Sequence, residues 1–337
     1  QGGRIILAQG GRIALVLGGS LHWIFHTAMT GLCGCSDDAE GEFPDLVPGL
    51  GPVEDNDRPA QNFKVMSFNI RVNSVDPNPS QGLPTEWETR KSLAVEVIRD
   101  EQPTIVGIQE AYYKGQWLYL KEQLADYGYE AIGLPIGVWE NLESITDRQG
   151  NTQVVGILYR PGEVTLEDWG VFSLSETPDM PCTTPALGAS YTRGATWAIF
   201  RLNESQRRIF FVNTHLDTAA SPVPELEWKV IVEQMSRHNT DNLYAFVTGD
   251  FNEGRTSNLC KTMYETFNEA ALMGDWPDRS VNTFNNYQDA LTTSYIDHIL
   301  YSKSNNRIRI FDYRVVRKKD GNVFVSDHWP IWAEFSY

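Results

Sequence analysis

Residues that can bind metal ions or transfer protons recur at the ends of apolar, β-rich runs in this sequence. Glu110, His215 and Asp250 each follow such a run, and Asp327 and His328 lead into another. One carboxylate at a strand end carries little information, but carboxylates and imidazoles at the ends of several strands predict a shared polar site at one rim of a sheet. Oxygen ligands from Asp, Glu and Asn suit Mg²⁺, Mn²⁺ or Ca²⁺ rather than zinc.

Such a set of groups fits the chemistry of phosphoryl transfer. That reaction needs cations that neutralise the phosphate oxygens, a group that orients water, and donors that stabilise charge in the transition state. The four cysteines form no C-x-x-C pattern, so the sequence predicts neither a zinc site of that kind nor a disulfide scaffold. A bridge between Cys182 and Cys260 is an alternative that no feature of the sequence supports.

Eight short motifs carry these residues in a fixed order along the chain. They are SFNIR (67–71), IQE (108–110), TRGATW (192–197), NTHLD (213–217), GDFN (249–252), NTF (282–284), IDHIL (296–300) and SDHWPI (326–331). The ordered set resembles the endonuclease/exonuclease/phosphatase superfamily, which includes pancreatic deoxyribonuclease, exonuclease III, the apurinic endonucleases, neutral sphingomyelinases and inositol polyphosphate 5-phosphatases. The resemblance runs from residue 63 to residue 337, and the stretch Trp169–Pro178 resembles a mostly bacterial, exported branch.

The resemblance implies a divalent metal ion. Glu110 would hold the catalytic ion, and Asn69 and Asp327 would complete or position its shell. Asp250 is also assigned to the metal site, where it would bind either a second ion or a phosphoryl oxygen. The implied cofactor is Mg²⁺ or Mn²⁺, with Ca²⁺ as a further candidate.

The resemblance also implies catalytic roles. His328 would act as the base or as the group that stabilises the pentavalent phosphate, and Asp297 would orient that imidazole. Asp250 and Asn252 would align the attacking water, and Asn252 would also bind a phosphoryl oxygen. His215 would contact the phosphate or assist the leaving group. The implied mechanism is in-line attack of water without a covalent enzyme intermediate.

Two further residues are implied to bind the phosphate. Arg193 would clamp a phosphate oxygen, and Thr283 would form a hydrogen bond with the phosphate. The alternative for Arg193 is an ion pair with a local carboxylate. We interpret Asp217 as a residue that caps a turn, with binding of a second cation as the alternative. His298 adjoins the predicted catalytic aspartate on a strand and is therefore expected to point to the opposite face of the sheet.

The elements that must position these residues are mainly strands. The predicted strands are Lys64–Arg71, Thr104–Glu110, Gln153–Arg160, Gly194–Leu202, Arg207–Asp217, Asn242–Asn252, Ser294–Ser302, Arg307–Val316 and His328–Phe335. Helical periodicity is found in Thr85–Arg99, Gln116–Tyr127 and Pro224–His238. This excess of strands argues against a doubly wound sheet, in which strands and helices alternate. We therefore predict an α/β fold of four layers, α/β/β/α, in which two mostly antiparallel sheets pack face to face and the helices lie outside.

Residues 1–35 have the pattern of a signal peptide or a membrane anchor, because the apolar run Ile13–Leu32 follows Arg4 and Arg12. The run ends in Leu-Cys-Gly-Cys, which resembles a bacterial lipobox. A lipid on Cys35 would then hold the protein to a membrane; an uncleaved signal anchor is the alternative. Either interpretation predicts an exported protein, secreted or attached to a membrane.

Residues 36–62 are rich in Asp, Glu, Pro and Gly and are predicted to form a flexible acidic linker. Residues 63–337 then form the catalytic domain, which we expect to be a monomer. The whole chain carries 44 acidic and 28 basic residues, a net charge of −16. Because non-specific nucleic-acid binding comes mainly from Lys and Arg contacts with phosphates, so acidic a protein is not expected to bind long polyanions through its surface charge.

The first functional candidate is therefore a metal-dependent phosphodiesterase or nuclease-like hydrolase. The alternative within the same chemistry is a phosphomonoesterase that acts on a sugar, inositol or lipid phosphate. A third candidate, of a different class, is a binding protein on the same fold that has lost catalysis. Such relatives usually lack one of the acidic or histidine positions, and all of those positions are occupied in this chain.

Overall fold

The structure is a computed structural model that describes three short N-terminal strands and residues 58–73, 82–147, 152–289, 294–304 and 307–337. The chain separates into two compact units, Gln1–Glu42 and Phe43–Tyr337. The first contains an antiparallel sheet of β1 (Ile5–Ala8), β2 (Arg12–Leu17) and β3 (Ser20–Trp23). None of the helices in the described part of the chain is long and apolar enough to cross a membrane. Cys35 and residues 36–57 lie outside the described residues, and the targeting segment and the lipobox stay predictions.

The described residues of the second unit include some that precede the predicted domain boundary at residue 63. Gln61 is buried, and its backbone N–H donates to the carbonyl oxygen of Tyr337 at 2.9 Å. Its side-chain amide donates to the carbonyl oxygen of Glu163 at 3.0 Å. These contacts hold the beginning of the first strand of this unit against the end of the chain.

The second unit contains two six-stranded mixed sheets. The first has the strand order β14 (Arg309–Val315), β17 (Ile331–Ser336), β4 (Asn62–Asn69), β5 (Ile105–Tyr112), β7 (Gln153–Tyr159), β6 (Glu130–Ile132). The second has the order β12 (Phe267–Glu269), β13 (Asp297–Ser302), β11 (Ala245–Asp250), β10 (Arg208–His215), β9 (Gly194–Leu202), β8 (Val164–Ser173). In each sheet one central pair is parallel, β4 with β5 and β10 with β11, and the other pairs are antiparallel. A short hairpin of β15 (Lys319–Asp320) and β16 (Val323–Phe324) lies outside both sheets.

The two sheets pack face to face through alternate residues of their strands. Ile209 and Phe211 of β10 belong to the core cluster between the sheets, whereas Phe210 belongs to a second cluster on the outer face. Across the interface, the rings of Phe63 and Phe246 meet edge to face with centroids 5.3 Å apart. The near-continuous apolar run in β10 is therefore a strand that is buried on both faces.

Helices cover the outer faces of both sheets. They are α1 (Trp87–Glu101), α2 (Leu118–Ala125), α3 (Val223–His238) and α4 (Asn258–Thr266), with a π-helical turn at Tyr113–Trp117 and 3₁₀ turns at Leu142–Ser144 and Ala270–Leu272. On the first sheet, the Trp117 ring packs so closely on Gly156 that a Cβ there would lie 2.2 Å from the ring. On the second sheet, Trp228 of α3 and Met263 of α4 share a cluster with Phe210. The predicted four-layered α/β/β/α fold is thus confirmed.

Several elements of the second unit were not predicted from the sequence. They are the strands β6, β8 and β12, the hairpin β15–β16 and the helix α4. Strand β8 lies at the edge of its sheet, and its central residues Glu167–Trp169 are partly or fully exposed, so it has no apolar run. Cys182 and Cys260 are both buried and unbridged.

Candidate active site

The two parallel strand pairs bring the predicted residues to one rim of the sandwich. Asn69 and Glu110 lie at or near the carboxyl ends of β4 and β5, and His215 and Asp250 close β10 and β11. His215 pairs with Asp250 in the ladder between those strands, and Asp250 pairs on its other side with Asp297, the first residue of β13. Because the carboxyl ends of parallel strands meet at one edge, ligands bind there in α/β proteins.

Glu110 reaches this rim from an irregular backbone. It has a φ of 62° and lies where the pairing of β5 with β7 slips between Ile108 and Ala111. A residue other than glycine in this conformation costs about 1–3 kcal/mol, and it persists only where the surrounding structure requires it. Such irregularities re-aim side chains beside active sites. Asn252, which follows β11, has a φ of 52°.

Three buried side chains with metal-ligand atoms form the centre of the site. Glu110, His215 and Asp250 each present one ligand atom, and these atoms all lie within 4.8 Å of one another. Asn69 holds the two carboxylates, because its Nδ2 donates to Glu110 Oε1 at 3.0 Å and to Asp250 Oδ2 at 2.9 Å. Its Oδ1 accepts from the backbone N–H of Arg71 at 2.9 Å. Asn69 therefore positions the carboxylates, and direct coordination by its oxygen stays a prediction.

His215 is an unprotonated acceptor in this cluster. Asn252 Nδ2 lies 3.1 Å from His215 Nε2 and also donates to the Leu216 carbonyl oxygen at 2.9 Å. Because an amide N–H can only donate, the Nε2 atom accepts and carries no proton. Burial lowers the pKa of His215 to about 4, and the charge of Arg193 adds to that lowering. Nε2, whose single lone pair accepts from Asn252, also lies 3.5 Å from Asp250 Oδ2, so two potential ligand atoms converge.

Glu110 is the third acceptor of the site, beside His215 and Asp250. Burial alone would raise the pKa of Glu110, but His215, which is protonated in the acidic range where Glu110 titrates, together with Arg71 and the hydrogen bond from Asn69 lowers it to about 2. Glu110 is therefore ionised at neutral pH and faces Asp250 and the bare nitrogen of His215. Two carboxylates and an unprotonated imidazole nitrogen that converge within 4.8 Å, with the neutral amide of Asn69 between the carboxylates, suit a hard divalent cation.

His328 and Asp297 form a second group with Asp250. The Nδ1–H of His328 donates to Asp297 Oδ2 at 2.8 Å, and His328 Nε2 lies 3.5 Å from Asp250 Oδ2. Burial alone would lower the pKa of His328, but Asp297 and Asp250 raise it well above its usual value. His328 is thus an imidazolium at neutral pH, since a carboxylate faces each of its nitrogens.

Asp327 is linked to Glu110 through Arg71. Arg71 Nε lies 3.4 Å from Asp327 Oδ2, and Arg71 Nη1 lies 3.7 Å from Glu110 Oε2. The hydroxyl of Ser326 donates to the Asn69 carbonyl oxygen at 2.8 Å and ties this segment to the end of β4. Arg71 was not among the residues predicted from the sequence. The signal that could have identified it is its position at the end of the SFNIR motif, two residues after the predicted metal ligand Asn69.

Arg193 lies beside the end of β10, because Ala195 two residues later pairs with Thr214. Its Nε lies 3.4 Å from Asp217 Oδ2, and both side chains are buried. The ion pair that the sequence left open as an alternative is therefore present. Phosphate binding by Arg193 stays a prediction that this geometry allows.

Thr283 and His298 support the strand that carries Asp297. The Thr283 hydroxyl oxygen accepts from the backbone N–H groups of Ile296 and Asp297 at 3.0 and 3.1 Å, so it holds the start of β13, and a contact with phosphate stays a prediction. The ring of His298 points away from the site, as predicted, and its Nδ1 lies 2.7 Å from Glu269 Oε2.

A buried polar network joins the two sheets beneath the site. Gln109 Nε2 donates to Asn213 Oδ1 at 2.7 Å, and Thr248 Oγ1 donates to the same oxygen at 3.1 Å. Asn213 Nδ2 donates to the carbonyl oxygens of Ile108 and Gly156, both at 2.8 Å. The network crosses from β10 and β11 to β5 and β7. Sequence reasoning assigned no role to Gln109 or Asn213, although both lie inside quoted motifs.

Comparisons with known proteins identify the family and the fold. A family model described as the endonuclease/exonuclease/phosphatase family matches residues 66–328. No curated protein matches the chain. Among solved structures, the chain is similar to an endonuclease/exonuclease/phosphatase family protein from Bacteroides thetaiotaomicron, with 24% identity and a TM-score of 0.70 over 83% of this chain and 99% of that chain.

Two further solved structures share the fold. The mannosyl-6-phosphatase of Bacteroides thetaiotaomicron has 23% identity and a TM-score of 0.67 over 81% of this chain and 99% of that chain. The human Nocturnin catalytic domain, solved with a bound sulfate anion, has 19% identity and a TM-score of 0.60 over 82% of this chain and 97% of that chain.

Proposed function

We propose that this chain, which belongs to the endonuclease/exonuclease/phosphatase family, hydrolyses phosphodiester bonds by metal-dependent, in-line attack of water. Members of the family are phosphoester hydrolases, and the chain is therefore an enzyme of that class. The observation that carries the proposed mechanism is the convergence at one rim of five side chains, those of Glu110, His215, Asp250, Asp297 and His328.

A divalent cation fits the acceptors that meet at the centre of the site. Glu110 and Asp250 would hold it, and His215 Nε2 would join them by exchanging its hydrogen bond from Asn252 for the ion. Asp327 would join them through a shift of Arg71 away from the two carboxylates. We propose Mg²⁺, with Mn²⁺ as a functional substitute, because oxygen ligands predominate. When bound, the cation neutralises phosphate oxygens and stabilises the leaving oxygen.

Asp250 is placed to take a proton from the attacking water. Its Oδ1 accepts a hydrogen bond from the backbone N–H of Asn252 at 2.9 Å, which fixes the carboxylate plane. Its Oδ2 lies 3.5 Å from the Nε2 atoms of both His215 and His328. A carboxylate held in this way accepts a hydrogen bond from water and removes the proton as the bond to phosphorus forms.

His328 acts as a charged donor in this mechanism. Its Nδ1–H is committed to Asp297, so its Nε2–H is available to a phosphoryl oxygen that approaches Asp250. A buried, preorganised imidazolium stabilises the negative charge of the pentavalent transition state. Of the two roles that the resemblance implied for His328, the contacts support stabilisation of the phosphate. They leave the role of base to Asp250.

A phosphomonoester of a small molecule is the second candidate substrate. The net charge of −16 disfavours long polyanions, which bind mainly through basic residues. A solved structure with the same fold is a mannosyl-6-phosphatase. Both observations favour a compact phosphorylated substrate such as a sugar or inositol phosphate or a lipid head group.

Hydrolysis of two chromogenic esters tests the proposal. The purified chain should hydrolyse bis-p-nitrophenyl phosphate faster than p-nitrophenyl phosphate if diesters are its substrates, and the order should reverse for a monoesterase. Chelation with EDTA should abolish either activity, and Mg²⁺ or Mn²⁺ should restore it. Hydrolysis that survives exhaustive chelation would overturn the metal-dependent mechanism.

Two variants test the residue assignments. Asp250→Ala and His328→Ala should each lower kcat by about 10²-fold or more, as removal of a general base or of a transition-state donor does. Their thermal unfolding should stay cooperative. A near-wild-type rate for either folded variant would contradict its role. A panel of DNA, RNA, sphingomyelin, inositol phosphates and sugar phosphates would then identify the substrate class.

A further inference from the structure

Two almost fully buried arginines differ in how their guanidinium groups are satisfied. Arg90 of α1 is fully buried, and its nitrogens donate to the carbonyl oxygens of Thr85, Ile70, Val325, Arg71 and Val72. The guanidinium of Arg193 is also buried, with 6% of the residue exposed, yet it makes no hydrogen bond with any other residue in the described ranges, and the contact of its Nε with Asp217 is an ion pair without a hydrogen bond. Arg90 therefore has a structural role, whereas the N–H groups of the Arg193 guanidinium have no hydrogen-bond acceptors among the described residues.

The carboxylate of Asp217 contacts both Arg193 and the loop that precedes Arg193. Asp217 Oδ2 lies 3.4 Å from Arg193 Nε. The same carboxylate accepts from the backbone N–H groups of Ser190 and Tyr191 at 3.0 and 2.9 Å, and from that of Ala219 at 2.9 Å. The Tyr191 ring, which is largely exposed, lies 5.2 Å from the Arg193 guanidinium carbon. Asp217 thus caps a turn, as the sequence indicated, and at the same time fixes the arginine.

A second carboxyl group, from helix α3, fixes Asp217 itself. Glu227 has no exposed surface, and its Oε2 accepts from the backbone N–H of Asp217 at 2.7 Å. Its Oε1 has no hydrogen-bond partner within the described residues, and neither has the hydroxyl of Thr192, the residue before Arg193. Burial raises the pKa of Glu227 to about 8, so Glu227 adds no full negative charge beside Arg193 at neutral pH. Asp217 alone then neutralises Arg193.

The position of Arg193 relates this cluster to the phosphoester site. Ala195 and Thr214 pair across β9 and β10, which places Arg193 beside His215 at the same rim. The charge of Arg193 contributes to the low pKa of His215, in keeping with their proximity. A buried guanidinium without hydrogen-bond acceptors beside a phosphoryl-transfer site is suited to an oxyanion, because Arg binds phosphate oxygens with charge-assisted, bidentate hydrogen bonds.

We propose that Asp217 and Glu227 are positioning residues that present Arg193 to a non-bridging phosphate oxygen and hold the end of the loop between β8 and β9 beside it. Asp217 engages the Nε side of the guanidinium and leaves its terminal nitrogens for the substrate. Glu227 holds the backbone of Asp217, and so couples α3 to phosphate recognition. The inference rests on the proposed function, because a phosphate oxygen is the partner that it assigns to Arg193.

A double-mutant cycle separates positioning of Arg193 from general stabilisation. The variants are Asp217→Asn, Arg193→Gln and their combination, with Glu233→Gln as a control that makes the same charge change at an exposed site of α3. Two quantities are measured for each: the Kd of inorganic phosphate in the presence of Mg²⁺, by calorimetry, and the KM and kcat for bis-p-nitrophenyl phosphate. Thermal unfolding reports whether each variant is folded.

Asp217→Asn should raise the Kd of phosphate and the KM by about tenfold or more, the effect of losing a charged hydrogen-bonding partner, and should change kcat by less than about threefold. In the Arg193→Gln background the same change should have no further effect, because Asp217 acts through the arginine. Glu233→Gln should behave as the wild type. Equal effects of Asp217→Asn in both backgrounds, or no effect on phosphate binding, would overturn the proposal.

Glu227 offers a second route if Asp217→Asn does not fold. Glu227→Leu removes the acceptor of the Asp217 amide and should raise the Kd of phosphate, whereas Glu227→Gln keeps an acceptor and should raise it less. The reverse order would contradict the proposed coupling. Phosphate binding is measured without turnover. The positioning role of Asp217 and Glu227 can therefore be refuted independently of the proposed hydrolytic function. If the wild type hydrolyses neither ester but Asp217→Asn still binds phosphate more weakly than the wild type, only the proposed function is refuted. If the wild type is active and Asp217→Asn binds phosphate as tightly as the wild type, only the positioning role is refuted.

Discussion

Asn69 Nδ2 lies 2.9 Å from Asp250 Oδ2, although 181 residues separate the two positions in the chain and they belong to different sheets. The same nitrogen lies 3.0 Å from Glu110 Oε1. One carboxamide therefore ties the ends of β4, β5 and β11 together. The distance between the two carboxylates depends on how the sheets pack, and neither sheet alone would define the site.

Loss of this carboxamide should weaken metal binding. We expect Asn69→Ala to raise the Mg²⁺ concentration for half-maximal activity by about 10–100-fold, the usual effect of removing a group that orients metal ligands. The measurement is the initial rate as a function of Mg²⁺ concentration. Asn258→Ala, at an exposed position of α4, is the control and should titrate as the wild type does. An unchanged Mg²⁺ dependence in Asn69→Ala would show that the carboxylates hold their positions without it.

The hydrogen bond of 2.8 Å between His328 Nδ1 and Asp297 Oδ2 should set the alkaline limb of the pH–rate profile. Asp297 and Asp250 raise the pKa of His328, so the active imidazolium persists above neutral pH and is lost as the pH rises through that pKa. Asp297→Asn should lower kcat by about 10²-fold or more and move the alkaline limb to lower pH. The check is kcat/KM from pH 5 to 10, and a limb that does not move would rule out His328 as its origin.

Buried Glu227 should make stability depend on pH. Its pKa is raised from 4.5 to about 8, so between these values the folded protein keeps a proton that the unfolded chain has lost. Its contribution to the free energy of unfolding is complete below pH 4.5 and is lost as the pH rises to about 8. Glu227→Gln cannot titrate. The Tm of this variant relative to the wild type should therefore rise between pH 5 and pH 8, and a constant difference would contradict the raised pKa.

The interface between the sheets should not accommodate a methyl group at Gly107. A Cβ there would lie 2.2 Å from Thr248 Oγ1 and 2.4 Å from Asn213 Oδ1, both in the buried polar network. We expect Gly107→Ala to lower the free energy of unfolding by about 1–3 kcal/mol, the cost of overpacking a core. Gly162→Ala is the matched control, since no atom lies within 4 Å of the position of its added Cβ. Denaturant unfolding measures both, and equal stabilities would show that the network can move apart.

Much of the architecture followed from the sequence because buried strands leave a local signature. Apolar runs such as that of β10 predicted strands that are covered on both faces, and the excess of strands over helices predicted two packed sheets. Edge strand β8 lacked the signature because its central residues face solvent. The hairpin β15–β16, with two residues in each strand, is too brief to produce a periodic pattern.

The sequence by itself determined which residue types close the strands, and therefore that Glu110, Asp250, Asp297 and His328 were candidates for a hydrolytic site. It also determined their order, because motifs are local. Only the tertiary structure decided the charge states and partners: a bare nitrogen on His215, an imidazolium at His328, and a guanidinium of Arg193 held by Asp217. These properties depend on burial and on distances of about 3 Å between side chains of different strands, which follow from how the sheets pack and are not encoded in any single segment of the chain.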